Sequence, residues 1–283
     1  HRDLHSFPTR RSSDLHHAWY IDPVNPDRML DGNDGGMGIT YDRGVTWRHI
    51  ENLPVGQFYH ISVDNELPYN IYGGLQDNGS WRGPAYSWHR GPLINEMYDF
   101  LMGGDGFDAL PVPGDSRYCY AQSQGGSLQR IDVTTGWSKS IRPVAEGEEK
   151  LRFNWNSALA QDPFDNNTIY FGSQFVHRST DRGDSWTRIS PDLTTNDPEK
   201  QKQEESGGIT HEATGAENHC TVITISPSPL QRDIIWAGTD DGMIQVTSDG
   251  GATWKNSSQN IRGMPRNGRS EERRVGKECR SRW

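Results

Sequence analysis

Apolar residues in this chain come in short runs, among them AWYI, IYGGL, YCYA, IYFG, VITI and IIWAG, and each run stops at a cluster of Asp, Asn, Gly or Pro. Runs of about four to six residues rich in Ile, Val, Tyr and Trp, bounded by such turn formers, read as β-strands. The runs are ordered into units. A unit opens with one strand, passes a Pro- or Asn-rich turn into a second, turns again at Asp and Gly, and adds a third and a fourth. The first strands of five successive units end at Asp22, Asp64, Pro113, Asp162 and Pro227, spaced by 42, 49, 49 and 65 residues. Four short strands every ~40 to 50 residues predict the blades of a β-propeller, because a parallel β-helix has shorter coils and a sandwich does not repeat its turns. The expected fold class is all-β, with about five four-stranded blades of a larger, incomplete propeller.

The last turn of three units carries the same motif. Thr40–Trp47 reads TYDRGVTW, Ser179–Trp186 reads STDRGDSW and Thr247–Trp254 reads TSDGGATW. All fit [S/T]-x-D-x-G-x-[S/T]-W, the Asp-box. The Asp carboxylate accepts backbone N–H bonds across the turn, Gly supplies a positive φ, and Trp starts the next strand with its ring over the hairpin. Asp42, Gly44 and Trp47, Asp181, Gly183 and Trp186, and Asp249, Gly251 and Trp254 are therefore structural.

The two ends lack this pattern. Residues 1–15 (HRDLHSFPTRRSSDL) and 269–283 (RSEERRVGKECRSRW) back-translate into strings that are reverse complements of each other, as read-through of a sequencing adapter produces. They are excluded from fold reasoning as adapter-derived and unfolded, leaving 16–268 as the propeller fragment. The ends hold a net +1 and a net +3 of a chain whose total is −9, so the remainder stands near −13. That charge argues against a generally basic nucleic-acid binder. No run of about 18 apolar residues offers a membrane span. Only Cys119 and Cys220 remain, with nothing to indicate pairing, and no His or Cys spacing suggests a metal. No cofactor is expected.

In a four-stranded meander the first and third turns share one face, and the second turns and the crossings between blades share the other. That second face, the mouth, collects Asp34, Gln76, Asp77, Asn78, Asp240 and Asp241 from turns. Its crossings supply GQFYH (56–60), GGDGF (103–107), FNWN (153–156) and the loop ending in GAENH, which contains Glu217. Aromatics assigned to it are Phe58, Tyr59, Trp81, Trp88, Phe107 and Trp155. Aromatic faces beside carboxylates and amides suit sugars, whose C–H faces stack while their hydroxyls take hydrogen bonds, and the same surface can grip an extended peptide.

The boxes, with YGGLQDNGSW, GGDGF, FNWNS, GAEN and GTDDG, make the chain resemble the sortilin-type, Asp-box (BNR) propeller proteins of bacteria, often described as glycosyl-hydrolase-like. The resemblance implies a protein placed outside the cytoplasm, extracellular or periplasmic, with further blades, and a carbohydrate or peptide ligand. It leaves two function classes. The first is a glycosidase, which needs two carboxylates across the scissile oxygen. The Asp34-Gly35-Gly36 turn is similar to the Asp-x-Gly-Gly turn that holds a catalytic Asp in propeller xyloglucanases. Sialidases share the box, but no FRIP-like segment occurs here. The second class is a non-catalytic, sortilin-like propeller that binds peptides or proteins. For a hydrolase the expected catalytic carboxylates are Asp34, Asp77, Asp105 and Asp240, each on or beside a Gly and each from a different blade. The expected ligand-binding residues are Gln76, Asn78, Phe107, Asn154, Trp155, Glu217 and Asp241.

Overall fold

The computed structural model describes residues 16–50, 56–88, 91–145, 147, 149–202 and 218–261. The adapter-like ends and Glu217 lie outside the described residues. Within them the chain forms five four-stranded antiparallel sheets in sequence order, the blades of a β-propeller. Blade 1 comprises β1 (His16–Ile21), β2 (Met29–Asn33), β3 (Gly36–Thr40) and β4 (Arg48–Ile50). Blade 2 comprises β5 (Phe58–Val63), β6 (Asn70–Leu75), β7 (Gly79–Pro84) and β8 (Asp99–Met102). Blade 3 comprises β9 (Ala109–Val112), β10 (Asp115–Ser123), β11 (Ser127–Asp132) and β12 (Trp137–Ser140). Blade 4 comprises β13 (Leu159–Gln161), β14 (Ile169–Gly172), β15 (Val176–Ser179) and β16 (Thr187–Arg188). Blade 5 comprises β17 (Val222–Pro227), β18 (Ile235–Thr239), β19 (Ile244–Thr247) and β20 (Lys255–Asn256).

Local chemistry closes each hairpin. At the first turn Asp22 accepts from the N–H groups of Val24 and Asn25, Asp64 from those of Glu66 and Asn70, and Asp162 from those of Phe164 and Asp165. The Tyr72 hydroxyl donates to Asp64 and the Tyr170 hydroxyl to Asp162, so one carboxylate ties a turn to the strand that follows it. Each Asp-box repeats one hydrogen-bond set. In the first, Thr40 Oγ1 and the Thr46 N–H donate to Asp42 Oδ1, Thr46 Oγ1 donates to Oδ2, and the Gly44 N–H donates to Thr40 Oγ1. Asp181 and Asp249 do the same with Ser179 and Ser185 and with Thr247 and Thr253. The box glycines Gly44, Gly183 and Gly251 have φ of 86°, 89° and 102°, where a side chain is strained.

The core lies between blades rather than inside any one sheet. Tyr72, Met102, Ala109 and Cys119 join blades 2 and 3; Tyr120, Leu128, Phe153 and Phe171 join blades 3 and 4; Tyr170, Ile189, Val222 and Ile235 join blades 4 and 5. Cys119 and Cys220 are both buried free thiols. β1, by contrast, is exposed along its whole length, and Trp19, Ile21, Ile61 and Val63 are each more than half exposed.

Two details depart from the expectation. The GQFYH segment supplies the start of β5 from Phe58 onward instead of remaining a crossing. Blade 2, one of the two units without a box, joins its third and fourth strands by a long loop through Asn95–Met97 that carries Trp88 off the expected face. Trp88 sits on that loop, on the Asp-box face and away from the mouth, while Trp81 packs edge-on to Phe100 of the neighbouring strand.

Candidate functional site

The mouth is built from the turns between second and third strands and from the crossings. The GGDGF crossing leaves β8 and lies against the β6–β7 hairpin so closely that a Cβ on Gly74 would stand 2.2 Å from the Gly106 carbonyl carbon, and a Cβ on Gly106 2.4 Å from Gly79 O. Glycine is required on both sides of that contact. The contact fixes Asp105 between them, buried, with its N–H donating to Gln124 Oε1 of blade 3 at 2.9 Å.

Asp105 is a junction. Its Oδ1 accepts the Asp77 N–H at 3.0 Å, and its Oδ2 accepts Trp155 Nε1–H at 3.1 Å across 50 residues of sequence. Asp77 holds φ 61°, a left-handed turn conformation that Asp tolerates. Next to it, Asn78 Nδ2 donates to the backbone oxygen of Asp34 at 3.3 Å, which ties the turns of blades 1 and 2 together. Hydrogen bonds thus tie Asn78 to the backbone of Asp34, and Asp105 to the Asp77 backbone and Trp155, and the Asp77–Asn78 peptide bond joins the two sets into one line across two blades and two crossings. Gln76 flanks it, accepting from the Tyr59 hydroxyl at 2.8 Å and from Gln57 Nε2 at 3.2 Å. Partial burial, with Asp105 and Asp77 nearby, pushes the Tyr59 phenol upward, so this ring remains a hydrogen-bond donor at neutral pH.

Four expected contact residues lie inside instead. Phe107 is fully buried, 4.6 Å from the Tyr59 ring, and supports that ring from beneath. Asp240 accepts the Thr221 N–H at 3.0 Å, the Thr221 hydroxyl at 2.7 Å and Asn154 Nδ2 at 3.1 Å. Asn154 is buried in that contact and also donates to Thr221 Oγ1. Asp241 is fully buried, accepting from the Thr195 N–H and hydroxyl at 2.7 Å and from the Thr239 hydroxyl, and those bonds outweigh its desolvation and hold its carboxyl below the usual range. Both Asp240 oxygens therefore clamp the entry to blade 5, because a carboxylate taken out of water needs donors and finds them in the protein here.

His17 was not among the expected residues. Its Nε2 lies 2.5 Å from Asp34 Oδ1, and Asp34 is largely shielded while the imidazole is mostly exposed. No group of three or more His, Cys, Asp or Glu among the described residues has a metal-holding arrangement. No helix of the described residues is long and apolar enough to cross a membrane.

No family model matches the chain. A xyloglucanase of Paenibacillus sp is similar to it, with 25% identity over 241 residues, covering 74% of this chain and 22% of the relative. A xyloglucanase of Hypocrea jecorina (strain QM6a) is 24% identical over 249 residues, covering 79% of this chain and 26% of the relative. Among solved structures, an ancestral GH74 enzyme superposes with a TM-score of 0.51 at 14% identity, over 89% of this chain and 32% of that one. The chain spans about a quarter of the length of these curated relatives and has a glycoside-hydrolase-like β-propeller fold.

Proposed function

We propose that this chain is part of a glycoside hydrolase that acts outside the cytoplasm on a polysaccharide of the xyloglucan class, with the mouth as its substrate cleft. The observation that carries the reading is the hydrogen-bonded line from Asp34 through Asn78, Asp77 and Asp105 to Trp155. It sets carboxylates beside a half-buried indole and the exposed Tyr59 ring, a surface on which a pyranose can stack while its hydroxyls meet acceptors. The similarity to two xyloglucanases supports the same substrate class.

Within that reading the four expected catalytic carboxylates divide. Asp105 and Asp240 have both oxygens taken by protein donors, so they position their neighbours. Asp34 and Asp77, on adjoining turns of blades 1 and 2, do the proton work. One, protonated, gives its proton to the glycosidic oxygen as the C–O bond breaks, and the other, ionised, takes a proton from the attacking water or attacks the anomeric carbon itself. Trp155 and Tyr59 hold the sugar against them.

Asp34→Asn and Asp77→Asn are each expected to lower sugar release from xyloglucan by about 10²- to 10⁴-fold, the range of acid–base contributions, while oligosaccharide binding and the unfolding midpoint stay near the parent. Reducing-sugar release and calorimetric titration read the two effects. A parent that releases no sugar, with both variants binding as it does, removes the hydrolase reading. Recognition of an extended peptide is then the remaining function, and the open apolar row of Phe58, Ile61, Val63 and Phe100 favours it.

A further inference from the structure

Three of the five innermost strands begin with the same irregularity. The register of β1 against β2 skips between His16 and Ala18, that of β5 against β6 between Phe58 and His60, and that of β17 against β18 between Val222 and Thr224. The extra residues are His17, Tyr59 and Ile223. A β-bulge re-aims one side chain while the strand on either side keeps its pairing, and bulges gather beside active sites. In blade 1 the bulged His17 meets Asp34 of its own second turn at 2.5 Å. In blade 2 the bulged Tyr59 meets Gln76, also on the second turn, at 2.8 Å. Blade 5 carries apolar Ile223 at this position, and its turn carboxylate Asp240 is satisfied by Thr221 and Asn154 instead. The bulge is thus a repeated backbone device, and its polar use occurs where the hydrogen-bonded line of the mouth begins.

We propose that His17 is a positioning residue for Asp34, with the bulge of β1 existing to bring it there. This rests on the hydrolase reading of the mouth. Whichever of the two groups carries the shared proton, the contact holds Asp34 in one orientation. Asp34 stands on a turn followed by Gly35 and Gly36, and the His17 contact on its carboxylate and the Asn78 bond to its carbonyl both bear on its aim. His17 does not touch the scissile bond; it sets the carboxylate that does.

The test uses the whole 283-residue chain with xyloglucan oligosaccharides as the probe. His17→Leu is expected to lower kcat about 10- to 100-fold with KM within about two-fold, the size seen when a residue that orients a reactive group is lost. His17→Gln, which restores a donor, should recover most of the rate. Because the side chain is mostly exposed, the unfolding midpoint should not move. Equal kcat in parent and His17→Leu, or a loss that His17→Gln does not relieve, overturns the proposal. If the parent binds the oligosaccharides without cleaving them, the hydrolase reading fails separately, and affinities of His17→Leu, Asp34→Asn and the double variant decide. Non-additive losses, with the double variant no weaker than the weaker single one, sustain the pairing, and additive losses overturn it. A parent that neither cleaves nor binds the probe overturns both.

Discussion

Blades 1 and 4 carry the same box and use it differently. In blade 4, Trp186 Nε1–H donates to the backbone oxygen of Ile141 at the end of blade 3, and in blade 5 Trp254 Nε1–H donates to that of Ile189 at the end of blade 4. In blade 1, Trp47 Nε1–H turns back to Gly44 O of its own box. The glycines follow suit. A Cβ on Gly183 would stand 2.5 Å from Ile141 Cδ1 and one on Gly251 2.5 Å from Ile189 O, whereas the atoms nearest one on Gly44 are those of its own Trp47, at 3.4 Å and beyond. The eight-residue motif is complete in all three blades, so the turn is self-sufficient. In blades 4 and 5 its Trp also docks on the blade before it. The Asp-box is thus a hairpin device and, given a neighbour, also an interblade latch.

That contrast can be broken from the side of blade 4. The largest expected effect is on acid sensitivity. His177 of β15 is buried against Ser173, and burial, with Arg188 adding to it, lowers its pKa to about 4 from an ordinary 6.5. The unfolded chain takes up a proton from pH 6.5 downward while the folded chain resists until about 4, so stability is full above that window and is lost as pH falls through it. The loss is on the order of 3 kcal/mol. Denaturant titrations from pH 7 to 4 should show that slope in the parent and its disappearance in His177→Gln.

Trp186→Ala should cost about 2 to 3 kcal/mol, combining lost packing of a half-buried ring with a lost interblade bond, and Trp47→Ala clearly less. Equal losses at the two sites in chemical denaturation would show that the latch contributes nothing. Gly183→Ala should cost roughly 2 kcal/mol from positive φ together with the clash on Ile141, whereas Gly44→Ala carries the backbone strain alone. The smallest effect belongs to the turn itself. Asp181→Ala should destabilise by about 1 to 2 kcal/mol without changing oligosaccharide binding, as removal of a turn-capping acceptor does. The Ser185 hydroxyl, with other donors of the box, draws Asp181 down to about 2, so the ionised box persists to lower pH than an ordinary carboxylate of 3.8. Its contribution is present above about pH 4 and fades toward 2, below the His177 window.

The candidate site was legible in part, and the division has a physical cause. The turns carrying Asp34, Asp77 and Asp105 could be placed at the mouth because strand count and turn composition dictate which face a turn occupies. Whether a mouth residue reaches solvent could not be read. Phe107 and Asp241 have the composition of ligand contacts and lie fully buried, since Tyr59 covers the one and Thr195 and Thr239 enclose the other. His17 depends on a one-residue register slip against the second strand, which leaves no mark in residue type: His, Tyr and Ile occupy the same bulge.

By itself the sequence determined the boxes, the Asx turns and the face each occupies, because each box and each Asx turn closes through bonds between residues no more than a few positions apart. Tertiary structure alone decided which long-range donors each carboxylate meets. Those outcomes depend on partners such as Trp155 on Asp105, 50 residues away, and Asn154 on Asp240, 86 residues away. A turn is stabilised by geometry that a short segment carries with it. The state of a carboxylate is set by which donors and how much water surround it, and only the assembled blades supply those.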